Sequence, residues 1–589
     1  MIKRISAFIY GSVCYGIAHL TITTRRSNQL HFAPERGRRY VVTSAQTIGF
    51  AAAVLFASAA SSWGAESTVA PAPPKNLSDM VLLYTNLGSH HKPISTQVPA
   101  TQQYFDQGLR FVYGFNHAEA IRSFTRAAEL DPTCAMCYWG IALAYGPHVN
   151  APMDSASGVA AYAAAQKALT LKSHTTASEG AYIEAVAQRY EAVPPADRAR
   201  LDILYSRAME QVANTYADDL DAATLYAESL MDLRPWNYWQ PDGTPYPGTN
   251  EIVRQLQRVL SRNPNHPGAC HYYIHAVEAV NPQAAVPCAE RLAQLMPGEG
   301  HMVHMPAHIY IRVGRWNDAV LANQHAIHTD EVFIEGQHPV GVYPLAYYPH
   351  NIHFLAFAST MAGRSAQAIE ASNTLTSKVN LDAARQVALL QEMLPYHALT
   401  LTTFGRWDDV LAEPLPPADI RFSYTMAHYA RGVAHAAKGQ WAEAQAALDM
   451  VTAINSATPD GVDGKTALSI AVHALSGEIA TRRGDLDTGA THFREAAKIE
   501  DAGLYFEPPK WYYPIRHSLG AALLKAGHHA EAEQVYREDL RRFPENGWSL
   551  FGLAQALRAQ GKAGEAAAAE ARFRQAWAST DVTLTASRF

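Results

Sequence analysis

Apolar positions fall at helical spacing almost without a break from Tyr104 to about Thr580, as one amphipathic helix follows another. The pattern also repeats. LGAALLKAGHHAEA from Leu519 and LAQALRAQGKAGEA from Leu553 stand 34 residues apart, aligning Leu523 with Leu557, Gly527 with Gly561 and Ala532 with Ala566. Glycine followed five residues later by alanine recurs at Gly314 and Ala319, Gly363 and Ala368, and Gly439 and Ala444, with Gly405, Arg406 and Trp407 as a weaker copy. Glycine opens the turn between two helices, and a small alanine lets their backbones approach. The predicted unit is therefore a helix hairpin, and the predicted fold is an all-α stack of about eleven or twelve of them between residues 102 and 578.

This period and unit resemble the tetratricopeptide repeat. FDQGLRFVYGFNHAEAIRSFTRAAELDP, ending in Asp131 and Pro132, is a further copy. The resemblance implies an α-solenoid, a right-handed superhelix whose concave groove holds a peptide or a partner protein. The chain is also similar to exported bacterial repeat proteins with histidine-rich inner helices, a likeness that implies no particular reaction. The expected organisation is a leader over 1–66, a Pro-, Ser- and Thr-rich linker over 67–101, a histidine-rich array over 102–380, and a second array with its cap over 381–589. Two loops rich in Pro and Gly, RPWNYWQPDGTPYPGTN ending at Asn250 and GQHPVGVYPLAYYP before His350, flank the histidines and are expected at the mouth of a pocket. EPPKWYYP from Glu507 is expected to kink the array, and a polar, alanine-rich helix ending near Thr580 to cap it.

The candidate chemistry lies in three blocks. CHYYIHAVEA places His271, His275 and Glu278 at i, i+4 and i+7, on one side of a helix. HMVHMPAHIYIRVGRW repeats the i, i+4 pair with His304 and His308, where Pro306 is expected at a helix start with His304 just before it. YYPHNIHFLAFAST adds His350 and His353. His275 and His308 are 33 residues apart, nearly one repeat, so they are expected side by side on the concave face. Imidazoles with a carboxylate suit zinc, iron, copper or manganese. The expected ligands are His271, His275, His304 and His308, with Glu278 as ligand or general base. His350 and His353 are expected to support these ligands or to hold a second metal. Arg312 either holds an anionic substrate or pairs with Glu278. The competing reading makes these histidines hydrogen-bonded packing residues.

No HExxH or GxSxG signature is present, and GVDGKT from Gly461 lacks the spacing of a phosphate-binding loop. His148 and Asn150 are expected to reach the same concavity. Tyr272, Tyr273, Tyr310, Tyr347 and Tyr348 are read as packing residues, Trp236 and Trp239 as loop anchors, and His90, His91, His528 and His529 as exposed. Two functions follow: a metal-dependent hydrolase or oxygenase acting on a small molecule or peptide in the groove, or a scaffold that binds a protein or peptide partner without catalysis.

Composition narrows the partners. A net charge of -6 over 589 residues argues against nucleic acid. No apolar run after the leader approaches the roughly 20 residues that cross a bilayer. RGRR at Arg36–Arg39 before TIGFAAAVLFASAASSWGA reads as an export signal, loosely resembling the twin-arginine type, so a periplasmic or secreted location is expected. Four cysteines follow this segment. Cys270 and Cys288 suit a staple across one hairpin; Cys134 and Cys137 suit a tight disulfide, a thiolate metal site or packing.

Overall fold

A computed structural model of the chain describes residues 81–337, 339 and 342–589. The expected export signal, the expected boundary at residue 66 and the first part of the expected linker lie outside these residues. The chain divides into two units, Met1–Gln46 and Thr47–Phe589, and every described residue belongs to the second.

Among the described residues every extended element is helical, and β pairing is confined to two isolated bridges, His148 with Ala151 and Trp239 with Pro245. No helix there is long and apolar enough to cross a membrane. Helices pack chiefly on their neighbours in sequence, as hairpins do. Gly314, Gly363, Gly405, Gly439, Gly527 and Gly561 all have φ between +68° and +82°, the left-handed turn conformation that favours glycine. Five residues on, Ala319, Ala368, Ala444 and Ala532 are completely buried, as is Val410 of the weaker copy. The hairpins are therefore of the tetratricopeptide type, and the fold is an all-α solenoid.

The stack also meets itself. Trp316 Nε1 donates to Pro544 O at 2.9 Å and Trp548 Nε1 to Thr360 O at 3.0 Å, so late hairpins pack on middle ones. At the other end, the turn after the Pro99–Tyr113 helix reaches the histidine-rich helices, where His271 Nδ1 meets Tyr113 O at 2.6 Å.

Pro306 starts a helix with His304 before it, as its spacing predicts, while other local expectations change. The helix over the second histidine block begins at Gly300, breaks at Met305 and resumes at Pro306, so His304 ends one short helix and His308 lies in the next. Proline cannot donate to the preceding turn, which explains the break. The Glu507 stretch is an irregular connection between helices Leu486–Ala502 and Arg516–Ala526 that lies against the site. The chain does not stop at a capping helix: beyond Ala563–Ala576, residues 577–589 run back along the array. Cys134 and Cys137 form a disulfide, whereas the expected staple is absent: Cys270 and Cys288 are buried free thiols, with Cys270 Sγ donating to Pro264 O at 3.6 Å.

Candidate metal centre

Helix Pro267–Val277 carries His271 and His275 one turn apart, and Glu278 caps it. Helices Gly300–His304 and Pro306–Arg312 carry His301, His304 and His308; helix Tyr348–Met361 carries His350 and His353. Stacking of these helices assembles two trios of imidazoles, His271 with His275 and His301, and His304 with His308 and His350. Within each trio one nitrogen from every ring lies within 4.8 Å of the others, the spread expected of ligands around one cation. The grouping differs from the sequence expectation: the four expected ligands divide between two trios, and each is completed by a residue from outside the four.

The outer nitrogens fix the protonation pattern. Tyr113 O accepts from His271 Nδ1 at 2.6 Å, and Glu278 spans the trios, with Oε1 3.2 Å from His275 Nδ1 and Oε2 2.6 Å from His308 Nδ1. Asn323 Oδ1 is 2.6 Å from His304 Nδ1, and its amide is oriented by Nδ2 donating to Ala319 O at 2.7 Å. Carbonyl and carboxylate oxygens only accept, so each of the four rings carries its proton on Nδ1. Each neutral ring then turns a bare lone pair inward at Nε2. Yet His271 Nε2 lies 3.1 Å from His275 Nε2, and His304 Nε2 lies 2.9 Å from His308 Nε2. Two lone pairs at that separation repel unless a proton or a cation lies between them.

A proton is a poor answer for both pairs. Burial, reinforced by neighbouring histidines, pushes His271, His301, His304 and His350 well below the ordinary imidazole range; burial lowers His275 as well. Burial would raise Glu278, but His308 and His275 outweigh it and hold the carboxyl at about 2. That one carboxylate balances one imidazolium, and there are two opposed pairs. His301 is also buried with neither ring nitrogen hydrogen-bonded, leaving the first trio short of a partner.

Aromatic rings close the site. Phe115 stacks on His148 at 4.5 Å and lies 4.5 Å from His271 and 5.8 Å from His301, while Phe354 lies 4.8 Å from both His304 and His308. Trp236 meets His275 edge-on at 5.0 Å and donates to Asn150 Oδ1, whose amide reaches Tyr347 OH. Phe115 and Trp236 have φ of 58° and 62°, so each ring is aimed at the site by a backbone state that non-glycine residues rarely adopt. Trp236 thus lines the centre, whereas Trp239 is a loop anchor bonded to Ala276 O. Of the tyrosines, Tyr347 lies 4.6 Å from His301, Tyr348 binds Glu331, Tyr273 binds Gln257, Tyr310 lies beneath Arg315, and Tyr272 is buried against Phe115.

Two further expected residues, His353 and Arg312, belong to neither trio. His353 points away from both trios, edge-on to Tyr396 at 4.3 Å, where burial and Lys510 lower its pKa to about 3. Arg312 makes no ion pair with Glu278; it reaches Ala279 O and Arg542 O and lies over Tyr505. The residue missed from the sequence is His301. It opens the same histidine block and lies three before His304 and seven before His308, a spacing that places all three on one helical face.

A third group, His90 with Asp221 and His266, corrects the expectation of an exposed His90. It differs in chemistry. His266 Nδ1 accepts from Ala269 N, so its proton is on Nε2 and points at Asp221. His90 and Tyr113 OH complete the partners of Asp221 Oδ1, and Lys92 Nζ lies 3.7 Å from Oδ2. Donors meet an acceptor throughout, and the cluster is satisfied as a hydrogen-bonded clasp.

No protein-family profile matches the chain, and no curated protein matches it in sequence. Among solved structures, human IFIT1 bound to m7Gppp-AAAA is similar at 13% identity and a TM-score of 0.31, over 82% of this chain and 90% of that one. The APC/C hetero-tetramer Cut9-Hcn1 is similar at 12% identity and a TM-score of 0.26, over 82% and 88%. The architecture is carried by this chain's own hairpins: it is an all-α solenoid of tetratricopeptide type with two histidine trios enclosed where its turns meet.

Proposed function

We propose that the protein is a metalloprotein whose solenoid encloses two transition-metal ions, one for His271, His275 and His301 and one for His304, His308 and His350. The observation that carries the proposal is the double opposition of Nε2 lone pairs among rings whose other nitrogens are committed as donors. A cation at each trio turns that repulsion into coordination. Glu278 then orients a ligand of each ion through Nδ1, the usual outer support of metal-bound histidine.

The donors are nitrogen only. Such a set favours zinc, copper or iron over manganese, which prefers carboxylate and water. Three protein ligands leave an open position for water or substrate at each ion, and two adjacent open ions suit activation of water against a polarised substrate. A hydrolase is the reaction class this supports with zinc, and an oxygenase with copper or iron. We place the protein outside the cytoplasm, on the RGRR-led apolar segment and the Cys134–Cys137 disulfide.

Elemental analysis of untagged protein tests the proposal. About two equivalents of zinc, copper or iron are expected. Absence of metal after purification and after reconstitution with each ion overturns it and leaves a partner-binding scaffold.

A further inference from the structure

The segment Asp581–Phe589 does not simply cover the end of the stack. It contacts the first helices of four hairpins, Tyr396–Thr403, Lys465–Arg483, Arg516–Ala526 and Gly547–Ala559. In a solenoid of this type the first helices line the concave face. The contacts are mostly polar and specific. Asp581 accepts from Ser365 N at 2.6 Å and Ala366 N at 2.9 Å, fixing where the segment enters. Leu584 is buried in a cluster with Phe404, Trp548 and Trp577. Ser587 Oγ lies 2.9 Å from His517 O and 2.6 Å from Tyr536 OH.

Tyr536 belongs to a second helix, yet its hydroxyl reaches the segment. A Cβ at Gly520 or Gly552 would stand 2.3 or 2.1 Å from its ring, so the ring passes through a gap that two glycines leave open.

Arg588 is buried beside Ser587. Its guanidinium is buried, 4.2 Å from the Tyr513 ring centroid, with Nη1 3.3 Å from Thr403 O, Nη2 3.5 Å from Tyr512 OH and Nε 4.0 Å from Glu478 Oε1. Arg482, itself held by Glu478 at 3.0 Å, donates to Phe589 O at 2.9 Å. A segment needed only to shield apolar surface would not bury a guanidinium, because desolvating that charge is costly unless a matched site receives it. The slot receives it with the Tyr513 ring, the Thr403 carbonyl, the Tyr512 hydroxyl and the nearby Glu478 carboxylate, although Nε itself makes no hydrogen bond.

The Phe589 ring meets Trp548 edge-on at 5.8 Å. We propose that the concave face of these hairpins is a peptide-binding groove that reads an arginine followed by an aromatic residue, and that Ser587-Arg588-Phe589 occupies it in cis. The partner it fits is a peptide with that pair, which must displace a tethered competitor acting at an effective concentration on the order of millimolar. The groove therefore binds such a partner weakly until the cis segment is released.

The test uses the full chain and a fluorescent peptide of residues 581–589. Arg588→Glu sets a carboxylate against Glu478 and weakens the cis segment. The peptide is expected to bind this variant at least tenfold more tightly than the wild type, with the gain lost on adding Glu478→Ala or on using a peptide carrying Arg588→Glu. No binding to an Arg588→Glu protein of native circular dichroism and melting temperature overturns the proposal, as does equal binding of the two peptides. If that variant fails to fold, hydrogen exchange of the wild type decides. Millimolar peptide is expected to speed exchange across 581–589, and unchanged exchange overturns the proposal.

Discussion

At the scale of single residues, the centre is distinguished by which atom faces which. Three histidine-containing groups have metal-like spacing, yet in the clasp of His90, Asp221 and His266 every proton meets an acceptor, while in the two trios lone pair meets lone pair. The trios should therefore load independently. His271→Ala is expected to lose one equivalent of metal, His350→Ala the other, and His266→Ala neither, as read by elemental analysis of folded protein. Retention of both equivalents in the two trio variants would place the metal elsewhere. The cysteines divide by the same attention to partners. Cys270 and Cys288 are expected to be alkylated in denaturant without reductant, and Cys134 and Cys137 only after reduction, as read by peptide mass spectrometry.

At the scale of elements, hairpins are locked by small residues and by buried polar hubs. Asp539 Oδ2 in helix His529–Arg542 receives His517 Nε2 at 3.1 Å, Ser549 Oγ at 2.7 Å and Asn546 Nδ2 at 3.1 Å, joining the last two hairpins. Burial alone would raise its pKa, but the His517 charge and these donors outweigh it and hold the carboxyl below the ordinary range. A depressed folded pKa means stability that is fully present above the unfolded value, about 3.9, and is lost as pH falls through the folded one. Asp539→Asn is expected to cost about 1.5–3 kcal/mol at neutral pH. The difference from wild type in urea unfolding should shrink below about pH 4. A penalty independent of pH would remove the charge from the account. Gly520→Ala places a methyl group 2.3 Å from the Tyr536 ring and is expected to cost about 1–3 kcal/mol, read as a lower melting temperature.

At the scale of the whole molecule, the site exists because the stack meets itself. The first hairpin supplies Tyr113 O and Phe115, the middle helices supply the ligands, and a late connection brings Tyr505 and Glu507 near Glu278. A ligand that ties such distant parts together stabilises the native state by mass action, about 2.7 kcal/mol when free ligand is a hundredfold above Kd. Stripping the metal with a chelator is therefore expected to lower the melting temperature, and one equivalent restored per trio to raise it in two steps. A melting temperature indifferent to chelation in a metal-loaded sample would separate the centre from the fold.

Much of this was legible without coordinates. The 34-residue period, the glycine and alanine pairs and the i, i+4 histidines are local features, set by helical geometry and by what a tight turn tolerates, so the hairpins and the faces bearing His271, His275, His304 and His308 followed from spacing alone. What spacing could not supply was the relation between elements. His350 and His353 are three residues apart, yet packing sends one into a trio and the other to Tyr396. His90 reads as exposed until a helix from further along the chain brings Asp221 to it. These partners are far apart in sequence, 43 residues for His353 and Tyr396 and 131 for His90 and Asp221, and no local propensity encodes such a pairing. It is decided by superhelical curvature, the sum of many small packing rotations, which only the assembled tertiary structure contains.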